Sequence, residues 1–497
     1  MPGTRRCAGA LRRCDARRVG EAERFIAQVA AGSVPGGPDA RSLAVAALRD
    51  TLAIGVSGLR ERSAQAVRSV LDEVPNGVAT WSGAQRYGVA DVALLHGTAC
   101  HALDWDDYMH PMHGHCSSVL LSALWGLAER DRRSGADLVD AYLVGYQVDW
   151  LASLVLAHSH YRQGWHATST IGVLGAAAAA AHLLGLDADA CAAALGIAAS
   201  SASGLQNNFG TPTKALHAGL AARGGVLAAQ LAGAGMTSSE SWLTGEHGVL
   251  ATFGGDVAAS DAATVVRVGL AQHGITTSMG LVQKPWTSCG CSHAAVDAVV
   301  SLTADLDVDD ITGIEVHVDP AVTRTMRETV PSDEFDSRYS VSWVVAVAAA
   351  DGMAGPAQFT AESIAREPVL ALRERVDVVA DLDVGDDDRF AARVVVRTLD
   401  GERETTVRHA SGHPLAPMDE RARVDKQRRA LALATDDPDA VVAVIATLPD
   451  VDEVTEIGEA LRHSDPAAGP TPASAQVPAS RCTTGVSSSR SDSKQTR

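Results

Sequence analysis

The chain has 497 residues, 46% hydrophobic and 21% charged, with a formal net charge of −18, a composition that suits a soluble globular protein with one large core or two to three domains. Six arginines against one aspartate in residues 1–18, and four basic against two acidic groups in 463–497, leave about −25 for the body between them, so a nucleic-acid partner is not expected. Eight cysteines are too sparse for a disulfide framework, and the longest apolar run, residues 171–186, is Ala-rich, contains His182 and falls short of a membrane span.

Residues 1–18 read as a disordered arm. The stretch lacks the apolar centre of a signal peptide, its arginines fit a transit peptide or an extended start, and a cytoplasmic location is the default expectation. Helical patterning begins near Glu21, and a long helix is predicted over residues 42–58 with Asp39, after Pro38, as its N-cap. A further helix over 89–103 runs into the densest stretch of the chain, HALDWDDYMHPMHGHCSS at 101–118. It packs Asp104, Asp106, Asp107, Tyr108, His110, His113 and His115 together, and Pro111 and Gly114 break regular structure there. A helix that delivers acid–base groups into a loop is a common way to build a site. The plain alternative is a solvated acidic turn with spare histidines.

Helix follows helix to about residue 250. The segments 171–186 and 215–235 are so rich in Ala and Gly that their backbones should approach closely, and the 4% aromatic content agrees. His166, in GWHAT, heads the first of these. There it faces the positive end of the helix dipole, which disfavours its protonated form and suits a neutral acid–base group; a capping or core histidine is the competing reading. Lys214, in GTPTKALHAG, precedes the second and has no acid near it in sequence, so a substrate carboxylate would supply a partner. Lys284, in LVQKPW, is another such lysine. Cys289-Gly-Cys291-Ser-His293 opens a helix, where a thiol can be acidified although a small buried residue is the commoner case. The CxC spacing gives a structural zinc site little support.

After about residue 275 the pattern alternates. Strands are predicted within 311–320, 375–383, 390–401 and 403–412, with Asp400-Gly401 as a hairpin turn, and helices over 293–306 and 339–350. Helical patterning returns at 414–462, and the Ser/Pro/Thr-rich tail from 463 reads as disordered. The expected architecture is mainly α: a large all-helical domain from 19–275 with 414–462, and a smaller α/β domain with an antiparallel sheet inserted over 276–413.

The blocks HGTACHALDWDD, GWHATSTIGVLGAAAAAAHLLGL, KALHAGLAARGGVLAAQLAGAGMT, KPWTSCGCSHAAVDA and RYSVSWVVAVAAADG, in that order, resemble the MmgE/PrpD family, which includes 2-methylcitrate dehydratase, cis-aconitate decarboxylase and an iminodisuccinate epimerase. The resemblance spans roughly residues 20–460. It implies a homodimer, a site between the two domains, and neither metal nor cofactor. It places the family's catalytic residues on Asp104, His166 and Lys214, and on His115 if one residue is inserted before it. Four positions depart. Tyr108 stands for a threonine, Cys116 for a proline, Cys289 for a later histidine and Trp343 for a tyrosine, while His293 matches a neighbouring histidine. The expected substrate contacts are therefore Tyr108, Cys289, His293 and Trp343.

What the resemblance implies is a cofactor-independent lyase acting on a small di- or tricarboxylate, a dehydratase ahead of a decarboxylase, through proton transfer next to a carboxylate. An epimerase or isomerase of the same family would need the same parts. From a different class, Asp104, Asp106, Asp107, His110, His113 and His115 could serve a metal-dependent hydrolase or metal-binding module. A non-catalytic scaffold is the third reading, given the lost polar positions.

Overall fold

A computed structural model of the chain describes residues 20–464 except 327, 329 and 385–389. The arm over 1–18 and the tail from 465 onward lie outside the described residues. The helices that position the site are α1 (Pro38–Gly58), α2 (Val89–Ala102), α3 (Cys116–Arg130), α4 (Gly135–Arg162), α5 (Gly172–Leu183) and α6 (Pro212–Gly233). The first begins earlier than predicted. Gly37 is its N-cap and Pro38 its first residue, so Asp39 sits in the first turn. Proline is favoured there because its fixed φ suits the helix and its missing N–H is not needed.

Helices α2, α3 and α5 are buried on nearly all sides, as expected where no polar face exists to meet water. They pack with α4 and α6 into one apolar core. Glycine sets the crossing of α2 with α6. A Cβ on Gly97 of α2 would stand 2.7 Å from the Cα of Gly219 in α6, and one on Gly219 would stand 2.2 Å from the carbonyl oxygen of Leu94. The two backbones therefore touch, which only glycine allows. Gly225 makes a similar approach to α5, where a Cβ would lie 2.4 Å from that of Ala176. This contact brings the first turn of α6, with Lys214, beside the loop that leaves the end of α2.

A second apolar core packs α7 (His293–Thr303) and α8 (Val341–Asp351) on a four-stranded sheet. Its strands are β3 (Ile311–Val318), β4 (Val376–Val379), β5 (Ala392–Thr398) and β6 (Gly401–Val407), in the order β4-β3-β5-β6; a separate two-residue pair, β1 (Tyr108–Met109) with β2 (Leu281–Val282), is described below. The hairpin at Asp400-Gly401 forms as predicted, with Thr398 opposite Gly401. The sheet is mixed, because β4 runs parallel to β3 while the other two pairings are antiparallel. The physical reason is the long connection between them, which carries α8 and shorter helices and so allows a crossover.

Two features tie the parts together. Strands β1 and β2 pair antiparallel, Tyr108 opposite Val282 and Met109 opposite Leu281. Helix α9 (Glu420–Leu431) packs on α1, and its buried Lys426 donates to Asp50 Oδ2 at 2.6 Å and to the carbonyl of Trp105 at 2.9 Å. Among the described residues no single helix is long and apolar enough to cross a membrane.

Candidate active site

The loop between α2 and α3 is held in an unusual backbone. Asp104 (φ 49°) and His113 (φ 53°) both occupy the left-handed region, which costs energy for a residue with a side chain and persists only where the surroundings enforce it. Enforcement comes from both sides. The β1–β2 pair anchors the middle of the loop, and at its end the His115 N–H donates to Thr168 Oγ1 at 3.0 Å.

Asp104 is the hub. Its Oδ2 lies 2.9 Å from Lys214 Nζ and accepts from the Tyr339 hydroxyl at 2.8 Å, while Oδ1 lies 2.7 Å from Lys284 Nζ. Lys284 also donates to the Asp104 backbone carbonyl. Burial alone would raise the Asp104 pKa, but Lys214 and Lys284 outweigh it and hold the carboxyl well below its ordinary range. The two lysines divide the work. Lys284 is fully enclosed and fixes the aspartate, whereas Lys214 borders a cavity.

Asp106 forms a second centre. It accepts from His101 Nδ1 at 2.9 Å and from the Ser118 hydroxyl, and His115 Nδ1 stands 3.2 Å away. Burial drives the His101 pKa down to about 3 despite the carboxylate, so the pair is a neutral imidazole donating to a carboxylate. Asp106 itself is held well below the usual range, His101 and His115 outweighing its burial. Asp107 goes the other way. Burial pushes it up to about 8, with Asp106 adding to the effect and the 2.6 Å hydrogen bond from Ser117 opposing it.

His166 caps the short helix Ala167–Thr170 that leads into α5, as the sequence suggested. It is buried, and burial together with the charge of Lys214 keeps its pKa well below the ordinary value. Its Nδ1 lies 2.9 Å from Nδ1 of His217, whose own pKa falls to about 4 through burial and Lys214. One of those two nitrogens must carry the proton. When His217 is the donor, His166 has its proton on Nε2; when His166 is the donor, its Nε2 is a free base.

A cavity lies between the two cores. Asp104, Tyr108, His115, His166 and Lys214 border it from the helical side, with Tyr161 and Phe209; Cys289, Cys291, Tyr339 and Phe390 border it from the other. All four expected catalytic residues thus meet in one place, and so do Tyr108 and Cys289. Two expected contacts do not border it. Trp343 is fully buried in the sheet core, because Ser340 caps α8 by accepting from the Trp343 N–H. The phenol at the cavity is Tyr339, immediately before that cap. His293 is also enclosed, its Nε2 3.2 Å from the Ser288 carbonyl, and it borders a side cavity with His110 and Phe390.

Tyr339, His101 and His217 were not singled out in the sequence. His101 opens the acid–base-rich stretch 101–118, which was its only signal, while Tyr339 was masked by the serine cap beside it. His101, at the end of α2, and Asp104, Asp106 and His115 of the loop offer ligand atoms within 4.8 Å of one another. A cation there would have to displace or share Asp104 with two ammonium groups that already neutralise it.

Comparison with known proteins places the chain in a family. The family model described as the MmgE/PrpD N-terminal domain matches residues 21–261, and that of the MmgE/PrpD C-terminal domain matches 286–448. A cis-aconitate decarboxylase from Mus musculus is 26% identical over 387 residues, 74% of this chain and 78% of the relative. One from Aspergillus terreus is 26% identical over 406 residues, covering 76% and 81%. The cis-aconitate decarboxylase of Homo sapiens is 39% identical over 161 residues, 31% of this chain and 33% of the relative, so that alignment spans about a third of either protein.

Proposed function

The chain belongs to the MmgE/PrpD family, and on that premise we propose that it is a lyase for a small di- or tricarboxylate, working as a dehydratase or decarboxylase through proton transfer at a carbon next to a carboxylate. The observation that carries the reading is the meeting of a lysine, Lys214, and a neutral histidine, His166, at one cavity, with Asp104 fixing the lysine.

Removing a proton beside a carboxylate leaves charge on the carboxylate oxygens, and a cation within reach stabilises it. Lys214 serves there, held in place by its ion pair with Asp104. His166 supplies the base through Nε2 when its Nδ1 proton is shared toward His217, and returns the proton from the same atom when the tautomers exchange. In a dehydration the C–H electron pair forms the double bond as hydroxide leaves with a proton from the site, for which His115 is placed. In a decarboxylation the C–C pair stays on carbon and takes a proton from His166. The helical side supplies all of these charged or acid–base groups. Tyr108 and Cys289 supply shape, and their departure from the family's threonine and histidine favours a substrate other than that of the relatives.

The test is direct. Incubation with a panel of di- and tricarboxylates in D2O, followed by NMR, should show loss of water or CO2 with deuterium at the carbon beside a carboxylate. Deuterium exchange without elimination would support the epimerase or isomerase reading instead. No exchange on any member of the panel would count against both. Activity that disappears with EDTA and returns with a divalent ion would favour the metal-dependent alternative. A homodimer is part of the same proposal, supported by Leu220 and Leu227, exposed seven residues apart on α6; light scattering should give about twice the 51.5 kDa of one chain.

A further inference from the structure

The sulfur atoms of Cys289 and Cys291 stand 3.5 Å apart at the cavity. Cys289 is partly exposed and Cys291 is buried. The three other described cysteines, Cys100, Cys116 and Cys191, are all buried, and burial raises the pKa of each. We propose that Cys289 and Cys291 are a peroxide-reactive dithiol, a modification site in which Cys289 is the attacking sulfur and Cys291 the resolving one.

Geometry supplies the first reason. Three residues, with Gly290 between the cysteines, place both sulfurs on one tight turn, so bond formation needs little movement of the chain. Accessibility supplies the second, since the outer thiol opens on the cavity and the inner one lies behind it. Reactivity supplies the third. Cys291 as hydrogen-bond partner, against the opposing effect of burial, holds the Cys289 thiol below its ordinary value, so more of it is thiolate at neutral pH than in an ordinary cysteine. The thiolate is the form that attacks peroxide.

The chemistry balances with hydrogen peroxide as the named oxidant. The Cys289 thiolate attacks one peroxide oxygen, an S–O bond forms, the O–O bond breaks, and the departing hydroxide takes a proton to become water. Cys291 then gives up its proton, its sulfur attacks the Cys289 sulfur, the S–S bond forms and the S–O bond breaks as a second water leaves. Two thiols are oxidised by two electrons in total and one peroxide is reduced to two waters.

The readout is chemical and stands whether or not the carboxylate reading holds. Full-length native protein is treated at pH 7 with a few equivalents of hydrogen peroxide, alkylated, digested and mapped by mass. The peptide spanning residues 289–291 should lose two mass units and become resistant to iodoacetamide, and dithiothreitol should restore it. In C291A the same peptide should gain one oxygen or more at Cys289 instead, and iodoacetamide labelling of Cys289 at pH 7 should slow at least ~3-fold as its hydrogen-bond partner is lost. In C289S the peptide should be unreactive. Cys289 that stays reduced under conditions that oxidise a small-molecule thiol, or a peptide that over-oxidises in the wild type without forming the internal bond, would overturn the proposal. Circular dichroism of each variant separates a folding failure from a chemical one.

Discussion

The two sides of the cavity are built from different materials. The helical side presents Asp104, His115, His166 and Lys214, all held by hydrogen bonds or ion pairs to residues far away in sequence. The sheet side presents Tyr339, Cys289, Cys291 and Phe390, none charged in its ordinary form. A site divided in this way separates two tasks. On the proposed reading, charge and proton movement rest on a close-packed bundle in which small shifts are costly, and the shape that would meet the rest of a substrate rests on side chains outside the Asp104 ion-pair cluster.

That division predicts large effects on one side and small ones on the other. The largest is expected for Asp104→Ala, which strands two buried ammonium groups. Removing one partner of a buried pair costs about 3–5 kcal/mol, so a denaturant titration should show that loss along with loss of turnover. His166→Ala should lower kcat by ~10²–10⁴-fold, the usual range for an acid–base group, with circular dichroism checking that the variant is folded. Next comes Lys214→Ala. A lost hydrogen bond to a charged group costs about 1.5–3 kcal/mol, so a role in binding alone predicts a ~10–100-fold rise in KM, and a fall in kcat would place the lysine in the transition state. Across the cavity, Tyr339→Phe removes one hydrogen bond to a carboxylate that keeps both lysines, and should change kcat/KM by no more than ~10-fold.

The smallest expected effect on turnover concerns Asp107, behind the loop, where the readout is stability. Its folded pKa of about 8 lies above the ordinary value, so the native state keeps a proton that the unfolded chain releases. The resulting stability is present at pH 4 and falls as the pH rises toward 8. Asp107→Asn should flatten that fall and raise the Tm at pH 8 by ~2 °C or more relative to the wild type, a comparison that differential scanning calorimetry at pH 5 and pH 8 makes directly.

The sequence signals were strongest where one physical cause dominated. Runs such as GAAAAAAHLL have no reading other than a helix packed on all sides, and α5 is that helix. The loop from His101 to His115 stood out because acid–base residues were concentrated against a plain background. Partners across the fold were not legible. Nothing near Lys214 or Lys284 in sequence indicates that both end on Asp104, since the ion pairs span 110 and 180 residues. Tyr339 was hidden by its cap: the pattern RYSVSW reads as one helix from Tyr339, while Ser340 starts it one residue later and turns Trp343 into the core. The strand β4 was foreseen but its parallel direction was not, because alternation reveals a strand but not its direction.

The contact of Gly97 with Gly219 has a further consequence, in the language of epistasis. The reach from Lys214 to Asp104 depends on two missing methyl groups, 122 positions apart and each making room for the other helix. Gly97→Ala or Gly219→Ala alone must wedge the helices open and draw the ammonium away from its carboxylate. Once either has done so, the gap already exists, and the second substitution meets less resistance. The double variant should therefore fall short of the sum of the singles. A loss of glycine at the crossing should therefore cost less on a background that has already lost the other, a difference that stability measurements on the two single variants and the double variant would read.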